Sequence, residues 1–310
     1  MTIARLCALA FALLVVPPSP VFGQGGKWTT RAPMLSSRTE VAVVELGGKI
    51  YVIGGFGQGG DLVEEYDPAE DRWRKLASLP RPLHHVGTAA VGGKIYVIGG
   101  YDAGWKPVDT VYEYDPKGNR WSQRASMPTA RGALAVGVIA GKIYSVGGVG
   151  SNRRNTAANE EYDPAANRWR KHARMVTLRD HLAVGVAGDK LYAIGGRVDG
   201  SYAKNLAVNE EYNPASDTWR ARAPMPTARS GIAAAVLGGR IFVFGGEAPS
   251  GTFNQTESYS PASDTWTTWN PMPTARHGLG AAALGQNIYV VSGGPTPGGS
   301  YSSVNEVFTP

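Results

Sequence analysis

Lys49-Ile50-Tyr51-Val52-Ile53-Gly54-Gly55 is the stretch that decides the fold. Its β-branched and aromatic run is short and stops at two glycines, the pattern of a buried strand ended by a turn. The heptad returns at residues 94–100, 142–148, 190–196 and 240–246, and once more at 287–293 with Ser292 in place of the first glycine. First-glycine positions 54, 99, 147, 195, 245 and 292 step by 45, 48, 48, 50 and 47 residues. Trp73, Trp121, Trp169, Trp219 and Trp266 keep the same beat, as does an aromatic-x-Pro element running from Tyr66-Asp67-Pro68 to Phe308-Thr309-Pro310. Six copies at one period with this many fixed positions describe a repeat array.

Each copy reads as four short strands. In the fifth, residues 232–237 and 241–244 flank Gly238-Gly239, a third strand covers 256–259, and a fourth starts at Thr265-Trp266. Gly47-Gly48 and Ala140-Gly141 suit the primed turns of tight hairpins. Four-stranded units at this spacing predict an all-β propeller. The sixth copy ends without its tryptophan strand, while Trp28-Thr29-Thr30 matches Trp266-Thr267-Thr268. The N-terminal strand is therefore expected to complete blade six and close the ring, leaving no open sheet edge.

Composition agrees. Glycine supplies 41 of 310 residues, which argues against helices, and 43 % hydrophobic residues exclude a disordered chain. Residues 1–5 are a basic start, 6–16 an apolar run, Pro17-Pro18-Ser19-Pro20 a break, and Val21-Phe22-Gly23 a small-residue end. That layout predicts a signal peptide over 1–23, a single domain over 24–310, a secreted or periplasmic location, and no membrane insertion after cleavage. Cys7, the only cysteine, lies in this leader, so the mature chain holds no thiol. The net charge of +6 comes without any basic run or stripe, so no nucleic-acid partner is expected.

On its double glycines, spaced tyrosines and tryptophans, the chain resembles the kelch-repeat β-propellers, in particular secreted or periplasmic bacterial kelch proteins, over residues 28–310. The resemblance implies a six-bladed kelch-type β-propeller, four antiparallel strands per blade, with a binding or scaffold role. It is more distantly similar to the propellers of N-acetylneuraminate epimerase and galactose oxidase. An exported sugar epimerase or mutarotase is thus the alternative to a non-catalytic binding protein. The copper-radical chemistry of galactose oxidase needs a cysteine crosslinked to tyrosine, which the mature chain lacks.

In such a blade the second-to-third loops and the blade-to-blade loops share one face, and their irregular lengths mark it as the binding face. Met127-Pro128-Thr129-Ala130-Arg131, Met225-Pro226-Thr227-Ala228-Arg229 and Met272-Pro273-Thr274-Ala275-Arg276 open successive blades. Arg38 and Arg179 hold the same place, and blade two departs with Leu83 before His84-His85. Five guanidiniums around the channel suit an anion; equally, they suit loop carbonyls, a scaffold role. In kelch substrate-binding adaptors, positions of this kind help hold acidic peptides.

The aromatics Phe56, Tyr101, Trp105, Tyr202, Phe253 and Tyr301 decorate the same loops, Trp105 standing outside the repeat pattern. His84, His85, His181 and His277 lie near the inner-strand starts without metal-ligand spacing. The recurring Glu64, Glu160, Glu210, Glu257 and Glu306 read as structural hydrogen-bonding groups. Gly55-Phe56-Gly57-Gln58-Gly59-Gly60 precedes no helix and is no dinucleotide fingerprint. The expectation is therefore a monomer without cofactor, metal or assigned catalytic residue. It binds a protein partner or an acidic or carbohydrate ligand through Arg38, Arg131, Arg179, Arg229, Arg276, His84, His85, His181, His277, Trp105, Tyr101 and Tyr202.

Overall fold

Every copy of the quoted heptad forms the second strand of a four-stranded antiparallel sheet, and six such sheets form the blades, with three two-stranded ribbons in the connecting loops. The computed structural model describes residues 25–310; the expected leader over 1–23 lies outside them. In blade five the strands Ala233–Leu237, Arg240–Phe244, Thr256–Ser260 and Thr265–Thr268 pair in that order. The second strand is buried after its first residue, because sheet neighbours cover both its edges and adjoining blades both its faces. The first strands of neighbouring blades touch one another, forming the inner wall of the ring. Ala140 at φ 48° and Gly141 at φ 75° supply the left-handed pair that a primed hairpin turn requires.

Six apolar clusters hold the blades together, one in each gap between neighbours. Polar clamps repeat beside them. Trp121 Nε1 donates to the Ala77 carbonyl at 2.9 Å, and Trp73, Trp169, Trp219 and Trp266 make the same reach to Ala32, Ala125, Ala173 and Ala223. At the seam, Lys27–Thr30 pairs antiparallel with Asn305–Thr309, placing Trp28 opposite Phe308. The ring is closed as the two half-copies at the chain ends predicted.

The glycine pairs have a packing reason. A Cβ at Gly54, Gly99, Gly147, Gly195 or Gly245 would come closer than 3.0 Å to a carbonyl oxygen of the next blade, and each has positive φ. Ser292 adopts φ 63° at the sixth such position. It resolves the conflict by donating its hydroxyl to that same carbonyl, Arg38 O, at 2.5 Å. The exception thus becomes a hydrogen bond across the seam from blade six to blade one.

Candidate functional site

The five arginines are not available to a ligand. Arg38, Arg131, Arg179, Arg229 and Arg276 are each 0 % exposed, which corrects the expectation of a guanidinium ring at the channel mouth. Arg131 donates to the carbonyls of Gly147, Ala158 and Ser145 and to Glu160. Arg179, Arg229 and Arg276 pair likewise with Glu210, Glu257 and Glu306, and Arg38 lies 3.7 Å from Glu64. One acceptor recurs in each of these blades, the second-strand carbonyl of Val52, Ser145, Ala193, Val243 or Val290, and buried acceptors need donors. Burial lowers the Arg38 and Arg131 guanidiniums to about 10, opposed by their carboxylate partners. In blade two Leu83 and Tyr112 replace both members of the pair and pack in one apolar cluster.

Two residues beyond each of these positions the backbone turns left-handed, at Glu40, His85, Ala133, His181, Gly231 and Gly278, with φ between 51° and 65°. Each amide donates to the carbonyl of its counterpart one blade back, from His85 to Glu40 and onward to Gly278 on Gly231. Glu40 on Gly278, at 2.7 Å, closes the circle. These six residues line a cavity of about 130 Å³ together with Val41, Val86, Leu134, Leu182, Ile232 and Leu279, so all six blades contribute to it. Only Glu40, His85 and His181 bring ionisable side chains to this ring.

Around those three a polar network gathers. His84 Nε2 faces the Asp102 carbonyl at 3.2 Å, and His84 Nδ1 faces His85 Nδ1 at 2.6 Å. A carbonyl only accepts, so His84 carries its proton on Nε2 and accepts on Nδ1 from His85. His85 Nε2 is then bare, 3.3 Å from Glu40 Oε2. Burial, reinforced by His181 and His84, holds His85 well below the ordinary histidine range; burial also lowers His84. His181 Nδ1 donates to Asp180, and Arg197 Nη2 donates to His181 Nε2 at 2.8 Å. Arg197 also holds Asp180 at 3.2 Å and Glu247 at 2.6 Å. Burial pushes the Asp180 carboxyl up, but His181, Asn155 and Arg197 outweigh it and set it at about 2. His277 is fully buried, its ring nitrogens against the carbonyls of Gly294 and Gly298.

Beside the mouth lies an aromatic shelf. Trp105 is 54 % exposed, and Phe56 and Tyr301 are exposed too. Trp105 meets His84 edge-on at 4.5 Å between ring centroids, with Phe56 and Tyr101 at 6.0 and 5.6 Å. A cavity of about 270 Å³ is lined by Phe56, Pro82, Leu83, His84, Ala103 and Tyr301. Tyr101 is buried and serves as packing, and Tyr202 lies under the Arg197 guanidinium at 5.7 Å.

Comparison with known proteins agrees with this architecture. The Kelch motif matches residues 37–80, 82–128 and 130–175, and the KLHDC2/KLHL20/DRC7 Kelch-repeats domain matches 172–309. The chain belongs to the kelch-repeat β-propeller family. Among curated proteins, this kelch propeller is similar to Kelch-like protein 13 of Homo sapiens, 38 % identical over 69 residues, 21 % of this chain and 10 % of the relative. It is 40 % identical over 60 residues to an F-box/kelch-repeat protein of Arabidopsis thaliana, 18 % of this chain and 16 % of that one. Beta-scruin of Limulus polyphemus is 40 % identical over 60 residues, 18 % of this chain and 7 % of the relative. The matched part is thus a small fraction of each relative's length. The solved structure of YjhT superposes with a TM-score of 0.80 at 18 % identity, covering 91 % of this chain and 97 % of that one. That likeness speaks to the fold.

Sequence reasoning named the four histidines, and the structure gathers them: His84, His85 and His181 in one polar network, with His277 Nε2 at 3.8 Å from Glu40 Oε1 and 3.7 Å from Glu247 Oε2. It missed Glu40, Arg197 and Glu247. Glu40 shares its repeat position with His85 and His181, while Arg197 and Glu247 directly follow the double glycines of blades four and five. Comparing the repeats column by column would have shown both positions varying between blades.

Proposed function

We propose that this kelch propeller is an exported binding protein whose loop face takes a neutral, hydroxyl-rich carbohydrate at the channel mouth. Trp105 carries the reading. It is exposed, lies beside His84, and holds φ 58°, a left-handed conformation that costs a bulky residue about 1 kcal/mol or more. Asp102 Oδ1 secures its turn by accepting from the amides of Gly104 and Lys106, both at 3.0 Å. An exposed ring beside buried hydrogen-bonding groups suits a sugar that stacks through its C–H face and bonds through its hydroxyls. With the five repeat arginines buried and the Glu40 carboxylate on the axial cavity, a neutral ligand fits better than an acidic one. Export rests on the leader pattern at 1–23.

A glycan screen followed by titration calorimetry tests this. Trp105→Ala should weaken any hit at least tenfold with the melting temperature unchanged. No hit, or a hit indifferent to that change, overturns the reading. Anomer exchange followed by NMR on the same samples separates a binding protein from an epimerase. A protein partner lost on Val176→Asp or Leu178→Asp, residues 68 % and 43 % exposed on a blade-opening loop, and retained by Trp105→Ala, would replace the carbohydrate reading.

A further inference from the structure

We propose that the ring of left-handed residues holds one divalent transition-metal ion of the zinc type, ligated by Glu40, His85 and His181. The three come from different blades but occupy the same repeat position, so the pseudo-symmetry of the ring aims them at one point. Their ligand atoms all lie within 4.8 Å of one another. Glu40 Oε2 and His85 Nε2 are 3.3 Å apart. That matches the roughly 3.3 Å edge of a tetrahedron built on metal–ligand bonds of about 2.0–2.1 Å.

Hydrogen bonding behind the ligands points the same way. Metal-bound histidines commonly donate their other ring N–H to a carboxylate or similar acceptor, which fixes tautomer and orientation. His181 does this through Nδ1 to Asp180, which Asn155 holds from its other oxygen. His85 does it through Nδ1 to His84, itself anchored on the Asp102 carbonyl. Both therefore turn Nε2 inward. His85 is 8 % exposed, and its bare Nε2 faces the Glu40 carboxylate with no donor between them. Two acceptors in contact, one buried and the other 14 % exposed, are satisfied by a cation placed between them.

The backbone adds an independent sign. Blades three, five and six put Ala133, Gly231 and Gly278 at this position, residues with little or no side chain. Glu40, His85 and His181 hold the same conformation with long functional side chains, and strained backbone of this kind gathers at working sites. Imidazole and carboxylate donors suit zinc, copper, iron or nickel, and three protein ligands leave a position open toward the channel. Arg197 is the resident competitor. The ion displaces its Nη2 from His181 Nε2, while Nε and Nη1 stay on Asp180 and Glu247. This inference stands apart from the carbohydrate reading, since it concerns the protein alone.

The test is titration calorimetry of untagged, chelator-stripped full chain with zinc chloride, repeated with cobalt chloride for its visible spectrum. One ion per chain is expected, with a four- or five-coordinate cobalt spectrum. His85→Ala and His181→Ala should each weaken binding at least tenfold, and Asp180→Asn by about 10–100-fold as an outer partner. Arg197→Met should tighten it. No stoichiometric ion, or equal affinity in the His85→Ala/His181→Ala variant, overturns the proposal. If those variants fail to fold, NMR of the wild-type chain decides: zinc should shift the His85 and His181 ring protons, and shifts confined to other histidines overturn it. Sugar binding measured before and after stripping keeps failure here distinct from failure of the carbohydrate reading.

Discussion

In five blades one short segment carries a buried arginine and, two residues later, a left-handed residue facing the axial cavity. The first position scarcely changes around the ring. The second runs through Glu40, His85, Ala133, His181, Gly231 and Gly278. The arginines look like ligand hooks because they are charged and recurrent, yet recurrence is what a scaffold needs, since each of these five blades presents the same second-strand carbonyl and glutamate to satisfy. The varying position is free of that duty and in three blades brings an ionisable side chain to the axial cavity. Blade two sharpens the contrast, for it gives up arginine and glutamate together in favour of Leu83 and Tyr112.

The largest effect should come from breaking the constant position. Arg229→Leu leaves Glu257 and the carbonyls of Gly245 and Val243 buried without their donor. It should cost about 3–5 kcal/mol in denaturant unfolding. Copying blade two fully, Arg229→Leu with Glu257→Tyr, should recover much of that loss; an equally unstable double variant would show that more than charge pairing holds the loop. Deleting residues 24–33 opens the ring by removing the strand that carries Trp28 against Phe308 and Phe244. It should cost about 3 kcal/mol or more, well beyond an ordinary terminal trim. An unchanged melting temperature would mean closure is dispensable.

Smaller effects probe the exceptions. Ser292→Ala keeps the left-handed backbone and the close approach to Arg38 O but loses the hydroxyl donor. A cost of about 1–2 kcal/mol is expected, and none would remove the seam bond from the account. The smallest change concerns pH. Hydrogen bonds from Tyr66, Tyr212 and Tyr259 hold the carboxyls of Asp71, Asp217 and Asp264 below the usual range. A lowered folded value means their stabilisation is present above the ordinary carboxylate pKa of about 3.9 and is lost as pH falls through the folded value. Melting temperature should drop from pH 5 toward pH 2.5, less steeply in the triple Asp→Asn variant. Blades two and three already use Asn119 and Asn167 there.

Much of the fold was legible in sequence because repetition amplifies weak local signals: a Lys-Ile-Tyr strand means little once and a great deal six times. The closing strand was legible from one tryptophan out of place. The site was only partly so. His84, His85 and His181 could be suspected, but Glu40 lies far from them in sequence, and Arg197 sits in a loop with no motif. Their meeting depends on ring closure, which brings blades one, two, four and five around one axis.

Period and patterning set the number of blades, their strands and the closure of the ring, because these are local properties that the backbone must obey. Tertiary structure alone decided which charges are sealed inside and which face the channel. The Arg38 and Glu40 side chains are two residues apart on one chain, and only the packing of six sheets sends one into the blade and the other to the axis.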